Sequence, residues 1–199
     1  MQRVGRALRI QGRGVGNDVT LAKLSASLGR SVTAVTPEIV AESVRRFVVK
    51  NADVFAVDAK QLGRIKAERV NDEIWQISIR QELNGIPVRW GQLAGVINNG
   101  NLVIVGTENW GNAQIDTTPK ITVEAALKAG WDYVNGDLLR DKIIAMPALE
   151  IIPFAPPAFQ NGETFAGPAG AGYGHRLAYT WTFRRAGERG RSERGHITP

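Results

Sequence analysis

An asparagine–glycine pair between two apolar runs is the feature that most constrains the fold of this chain. It lies in the stretch QELNGIPVRW, residues 81–90. Asn and Gly both tolerate positive φ angles, so the pair predicts a tight hairpin turn at Asn84 and Gly85. Pro87 follows, and proline cannot donate a hydrogen bond to a sheet ladder. The stretch therefore predicts a β-hairpin whose second strand is edge-like.

Alternating apolar and polar residues surround this turn. Trp75, Ile77 and Ile79 alternate with polar residues before it, which indicates a strand with one buried face. After it, residues 93–97 and 102–105 form two apolar runs on either side of a second turn signal, Asn-Asn-Gly-Asn. At least three consecutive antiparallel strands, a meander, are predicted.

Two helices are predicted on either side of the meander. Thr36 is placed to cap the first, with Pro37 at its first position and a last turn at about Lys50. Thr122 is placed to cap the second, which we expect to close at Gly136. Each helix carries one apolar stripe, Val40, Val44, Phe47 and Val48 in the first and Val123, Leu127, Trp131 and Val134 in the second.

A final strand pair is predicted from ALEIIPF, residues 148–154, and LAYTWTF, residues 177–183. A long Pro/Gly-rich loop joins them. The predicted fold class is thus α+β, an antiparallel β-meander packed with helices, followed by a helix plus a β-hairpin. The chain is divided into an irregular lead-in, a first domain, a second domain and a disordered basic tail, with bounds 1–31, 32–115, 116–183 and 184–199.

The positive charge of the chain lies at its ends. The net charge is +6, yet residues 51–183 hold eleven basic and fourteen acidic side chains. A nucleic-acid-binding domain would carry its basic patch on the folded body. Solvated basic termini therefore explain the charge better than nucleic-acid binding, and no nucleic-acid partner is expected. No uncharged apolar run approaches the ~20 residues of a membrane helix, so no membrane partner is expected either.

Catalytic patterns are absent from the sequence. Without cysteine there is no thiol nucleophile and no thiolate metal site. The two histidines, His175 and His196, lack a second histidine or carboxylate at ligand spacing, and neither HExxH nor GxSxG occurs. We therefore predict no catalytic residue, no cofactor, no metal and no enzymatic activity.

Three segments resemble the N-terminal propeptides of secreted thermolysin- and fungalysin-type zinc metallopeptidases. They are FVVKNADVFAVDAKQLG from Phe47, WQISIRQELNGIPVRWGQLAGVINNGNLVIVG from Trp75 and DTTPKITVEAALKAGWDYV from Asp116. RQELNGIPV is similar to the Gln-x-x-x-Gly-Ile-Pro-Val signature of that family. The later ALEIIPF and HRLAYTWTF segments resemble the PepSY domain that follows in such propeptides. Together the resemblance covers roughly residues 45–183.

The resemblance implies a function without catalysis. Such propeptides act as intramolecular chaperones and inhibitors of the attached peptidase, so the implied partner is a zinc metallopeptidase catalytic domain, in cis or in trans, and the implied location is extracellular. No signal-peptide pattern opens this chain. The signature residues are expected to serve the fold alone; they are Gln81, Gly85, Ile86, Pro87 and Val88.

Two alternatives stay open beside the propeptide. The chain could be a freestanding PepSY-type binding or peptidase-inhibitor module acting in trans, or a basic nucleic-acid-associated protein. Because the peptidase domain and the end of the PepSY domain are missing, we expect a truncated or frame-shifted product, or a fragment. Residues 177–183 would then form a terminal strand with open backbone groups, able to self-associate by strand addition.

Overall fold

The structure is a computed structural model and describes residues 10–11, 21–137, 139–154, 174–186 and 193–197. It shows a mixed α and β architecture. The chain divides into two compact units, the described residues up to Asn112 forming the first and those from Ala113 onward forming the second. The long loop predicted between residues 154 and 174 lies outside the described residues.

Five strands of the first unit pair antiparallel in the order β1-β5-β4-β3-β2. Their bounds are Ile10–Gln11 for β1, Leu62–Arg69 for β2, Ile74–Leu83 for β3, Ile86–Asn98 for β4 and Asn101–Glu108 for β5. The predicted meander is therefore confirmed as β3-β4-β5. Both predicted turns hold left-handed residues, Asn84 and Gly85 at φ 52° and 80°, and Asn99 and Gly100 at φ 49° and 74°.

Three helices and a 3₁₀ turn accompany this sheet: α1 at Leu21–Leu28, α2 at Pro37–Lys50, α3 at Ala52–Phe55 and the turn at Ala59–Gln61. The start of α2 is confirmed, because the Thr36 hydroxyl accepts a hydrogen bond from the Ile39 backbone N–H. Buried side chains of α2 pack on the inner face of β3, β4 and β5 around Ile79, Leu93 and Val105. This shared core holds the hairpin of β3 and β4 in place.

The interpretation of residues 1–31 as an irregular lead-in missed α1. This helix buries Leu24 and Leu28 with Val32 and packs them against Ile39. Within it the Ser25 hydroxyl donates to the Leu21 carbonyl and accepts from the Val32 N–H. Among serine and glycine residues, two leucines form an apolar stripe too short for periodicity to predict a helix. Tertiary packing stabilises so short a helix more than its own propensity does.

The second unit contains α4 at Val123–Tyr133 and an antiparallel sheet of β6 at Lys142–Phe154, β7 at Gly174–Arg184 and β8 at Glu193–Ile197. The predicted cap is confirmed, because Thr122 accepts from the Ala125 N–H. The helix ends at Tyr133, and the Gly136 N–H does help to close it by donating to the Trp131 carbonyl, but Gly136 is not the left-handed residue. Asn135, at φ 50°, takes the left-handed position instead, while Gly136 packs against the Trp131 ring.

Two expectations about the C-terminal residues are corrected. β8 lies within the segment predicted to be a disordered tail, and its residues 193–197 pair with Tyr179–Phe183 of β7. β7 thus has β6 on one side and β8 on the other, so the expected open edge along 177–183 is closed from Tyr179 onward. Strand addition through that stretch loses its physical basis in the full chain.

Candidate interaction site

The β3–β4 hairpin has the tight turn that the Asn84–Gly85 pair predicts. Leu83 pairs with Ile86 and Glu82 pairs with Pro87 across the Asn84–Gly85 turn. Two left-handed residues give the turn a twist that matches the flanking strands. Gly85 has open space where a β-carbon would lie, so its glycine serves the φ angle and not packing.

β4 is not edge-like, contrary to the sequence interpretation. Over Gln92–Asn98 it lies between β3 and β5 and pairs with both. Pro87 is tolerated because it lies in the part of β4 that extends past the last β5 pair, Gln92 with Glu108.

An irregularity interrupts the pairing of β3 and β4 beyond Pro87. Arg80 pairs with Gln92 and Glu82 pairs with Pro87, so Gln81 alone faces Val88, Arg89, Trp90 and Gly91. We call these four residues the β4 bulge. Such insertions change the direction of side chains and are common at functional sites of sheets.

Gln81 lies fully buried beneath this irregularity, at 0% exposure. Its Nε2 donates to Gln61 Oε1 at 2.8 Å and to the Gly111 carbonyl at 2.7 Å. Its Oε1 accepts no hydrogen bond from any residue the structure describes. Gln81 therefore joins three segments, the 3₁₀ turn before β2, strand β3 of the hairpin and the chain after β5.

Further polar contacts extend this amide network. Gln61 Nε2 donates to Asp58 Oδ2 at 3.3 Å, and the Asp58 N–H donates to Asn112 Oδ1 at 3.0 Å. The same Asn112 oxygen accepts from the Trp110 indole at 2.9 Å. Buried polar groups of this kind are costly unless they are bonded, and when bonded they specify one arrangement of the backbone.

Trp90 stands at the tip of the β4 bulge with two unusual properties. Its φ is 61°, a left-handed conformation that costs a bulky residue about 1–3 kcal/mol. Its side chain is 65% exposed, whereas Val88 and Arg89 beside it are buried. The Arg89 guanidinium carbon lies 5.7 Å from the centroid of the Trp90 ring, within the range of a cation–π contact. The bulge thus holds a large aromatic side chain in water at an energetic cost.

The sequence pattern does not predict that the Trp90 side chain is exposed. The alternation through Ile86, Val88 and Trp90 places all three on one face of a regular strand, which would direct the indole toward the core with Val88. A bulge reverses that direction, and no local sequence pattern predicts the bulge. The proximity of a proline and a glycine to this tryptophan was the one available signal.

The histidines do not form a metal site in the described part of the chain, where no group of three potential metal ligands occurs. His175 lies on β7 opposite Pro153, and its Nε2 is buried without a partner among described residues. Burial lowers the pKa of His175 below its ordinary 6.5. His196 lies on β8, opposite Thr180.

Comparison with known proteins gives no assignment: no protein-family model matches this chain, and no curated protein matches it at a significant level. Among the described residues, no helix is both long and apolar enough to cross a membrane.

Proposed function

We propose that this chain is a non-catalytic module that binds a secreted zinc metallopeptidase, assists its folding and covers its active-site cleft. The resemblance of residues 45–183 to metallopeptidase propeptides supports the choice of partner. The second unit is proposed to be its PepSY-like part, since it combines α4 with the β6–β7 hairpin.

The observation that carries the binding function is the exposed, strained Trp90. A tryptophan is the side chain that most often dominates a protein interface, because it buries a large area at a small cost in conformational entropy. Backbone strain of this kind persists only where the surroundings enforce it, and it concentrates at functional positions. A preformed aromatic anchor is therefore what the β4 bulge offers to a partner.

Binding of this kind explains both parts of the proposed function. A module that binds the native peptidase and not its unfolded chain shifts the folding equilibrium toward the native state by mass action. If the same contacts cover the cleft, substrate is excluded. Neither effect requires a nucleophile, a general base or a metal from the module itself.

Inhibition in trans tests the proposal. The purified chain is added to a thermolysin-like peptidase, and initial rates of peptide hydrolysis are measured at increasing concentrations of the chain. We expect inhibition at micromolar concentrations, and we expect Trp90→Ala to raise the inhibition constant about tenfold or more.

Tyr133→Ala is the matched control. Tyr133 is 86% exposed and belongs to the second unit, so its removal tests the effect of losing any exposed aromatic ring. Its inhibition constant should equal that of the wild type. No inhibition by the wild-type chain at micromolar concentrations would reject the proposed function, and equal losses for both variants would reject the role of Trp90.

A further inference from the structure

We infer that Gln81 and Gly91 are positioning residues that hold Trp90 in its exposed, left-handed conformation. The inference deepens the proposed function and rests on it for the consequences in binding. Its structural part, the dependence of Trp90 exposure on these two residues, stands on the geometry of the β4 bulge alone.

Gly91 is the point where the bulge touches Gln81. A β-carbon at Gly91 would overlap Gln81 Oε1 and would lie 3.0 Å from Gln81 Cβ and 3.3 Å from its Cδ. Turning the terminal amide would relieve the first overlap only, because Cβ moves with the strand. The backbone next to Trp90 thus lies directly on the Gln81 side chain, so that a side chain at position 91 would require Gln81 or the bulge to shift.

Gln81 is itself unable to move away. Its Nε2 is held by the Gln61 amide and by the Gly111 carbonyl, and Gln61 is held in turn by Asp58. These contacts come from chain segments outside the hairpin, one just before β2 and one just after β5, and they hold the amide nitrogen in place. The support under Gly91 is rigid for that reason.

The buried oxygen of Gln81 gives independent support. Oε1 faces Gly91 and accepts no hydrogen bond from the described residues, although it is shielded from water. A buried polar atom without a partner calls for a reason. Here its packing against Gly91 supplies one, since the oxygen fills the space that a side chain at position 91, next to Trp90, would need.

Acrylamide quenching of tryptophan fluorescence measures the exposure of Trp90 and so tests the structural part of the inference. The other four tryptophans are 8% exposed or less, so the quenchable emission belongs to Trp90, which is 65% exposed. Gly91→Ala should move the bulge and lower the quenching constant of this emission at least twofold. Gln81→Ala, which removes the support, should lower it as well.

A double variant distinguishes the contact between Gln81 and position 91 from a general destabilisation of the fold. In the Gln81→Ala background the overlap with the amide oxygen is gone and only the contact with Cβ remains, so the effects of the two substitutions should be less than additive. Gly100→Ala is the control, because it introduces a side chain at a left-handed glycine, φ 74°, in the other hairpin and leaves the bulge alone. Its quenching constant should match that of the wild type.

The binding consequence is read from the inhibition assay. Gly91→Ala and Gln81→Ala should each raise the inhibition constant about tenfold, whereas Gly100→Ala should not change it.

Folding of every variant is checked by cooperative urea unfolding; if Gly91→Ala does not fold, Gln81→Ala decides. Unchanged quenching in a folded Gly91→Ala or Gln81→Ala variant overturns the inference. A wild-type chain that fails to inhibit rejects the proposed function, and the quenching result still decides the positioning role.

Discussion

Gln81 is one residue whose side chain contacts both the strained β4 bulge and the buried amide network. It faces the core side of β3 with Ile77 and Ile79, yet it carries an amide where its neighbours carry hydrocarbon. Its two acceptors, Gln61 Oε1 and the Gly111 carbonyl, lie 20 and 30 residues away along the chain. The buried face of β3 follows from its period of two, but partners at such separations follow only from the folded arrangement.

Loss of the amide should therefore cost stability. In Gln81→Met a side chain of similar length remains, while the Gln61 oxygen and the Gly111 carbonyl each lose a buried donor. Because a buried polar group left without a partner costs about 1–3 kcal/mol, the loss at the Gly111 carbonyl alone should lower the free energy of unfolding in urea by about 1–3 kcal/mol. Gln76→Met, at an exposed position of the same strand, should change it by less than about 0.5 kcal/mol. Equal effects of the two substitutions would show that the amide network contributes nothing.

His175 should make stability depend on pH. Burial lowers its pKa in the folded chain below the 6.5 of the unfolded chain, so the unfolded state binds more protons in this range. The stability is fully present above about pH 6.5 and is lost as pH falls from there through the lower folded pKa. Thermal unfolding at a series of pH values should show this decline, and His175→Gln should reduce it. A decline of the same size in His175→Gln would assign it to other groups.

The exposed carboxylates act in a lower pH range. Hydrogen bonds from backbone N–H groups lower the pKa of Asp116 and Asp141, and contact with Lys66 lowers that of Glu68. Their contribution is present above the unfolded pKa of about 4 and disappears as pH falls further. The decline due to His175 therefore begins near pH 6.5, whereas that of the carboxylates begins near pH 4.

At the scale of elements, strong local signals gave correct predictions and weak ones did not. The caps at Thr36 and Thr122, and the two Asn/Gly turns, placed α2, α4 and the β3-β4-β5 meander. β2 was missed because its alternation is short and weak, with only Ile65 and Ala67 between the charged residues Arg64, Lys66 and Glu68. β8 was missed because the sequence around it, GRSERGHITP, has no apolar period at all. The β4 bulge escaped prediction for a related reason, since the contact between Gly91 and Gln81 follows from the fold and not from the order of residues 88–91.

β8 should protect β7 from association. Its five residues pair with Tyr179–Phe183, a stretch that includes three aromatic side chains. Deletion of residues 187–199 would leave the backbone N–H and C=O groups on that side of β7 without partners, a template for pairing with another chain. We expect the deletion variant to associate more strongly than the full chain as its concentration rises, measured by sedimentation velocity.

Deletion of residues 198–199 alone is the control for the deleted charge and length. It leaves β8 in place and should sediment as the full chain does. If the longer deletion also sediments like the full chain, β8 does not have the protective role that its pairing suggests.

At the scale of the whole molecule, the chain combines two compact units with separate aromatic clusters. Trp75 and Trp110 belong to the core of the first unit, while Trp131, Trp181 and Phe183 form a cluster in the second. The mixed architecture was predictable because alternation, caps and turns all indicate it along the sequence. The exposure of Trp90, on which the proposed binding surface rests, was not, because a tryptophan in an apolar strand has the pattern of a core residue until the bulge turns it outward.

Competition for the active-site cleft tests the proposed function most directly. The chain is titrated by calorimetry into a thermolysin-like peptidase, once with its cleft free and once with the cleft filled by a tight small-molecule inhibitor. A module that covers the cleft should bind the free enzyme with micromolar or tighter affinity and lose at least about tenfold when the cleft is filled. Absence of binding, or equal affinity for the free and the filled enzyme, would contradict it.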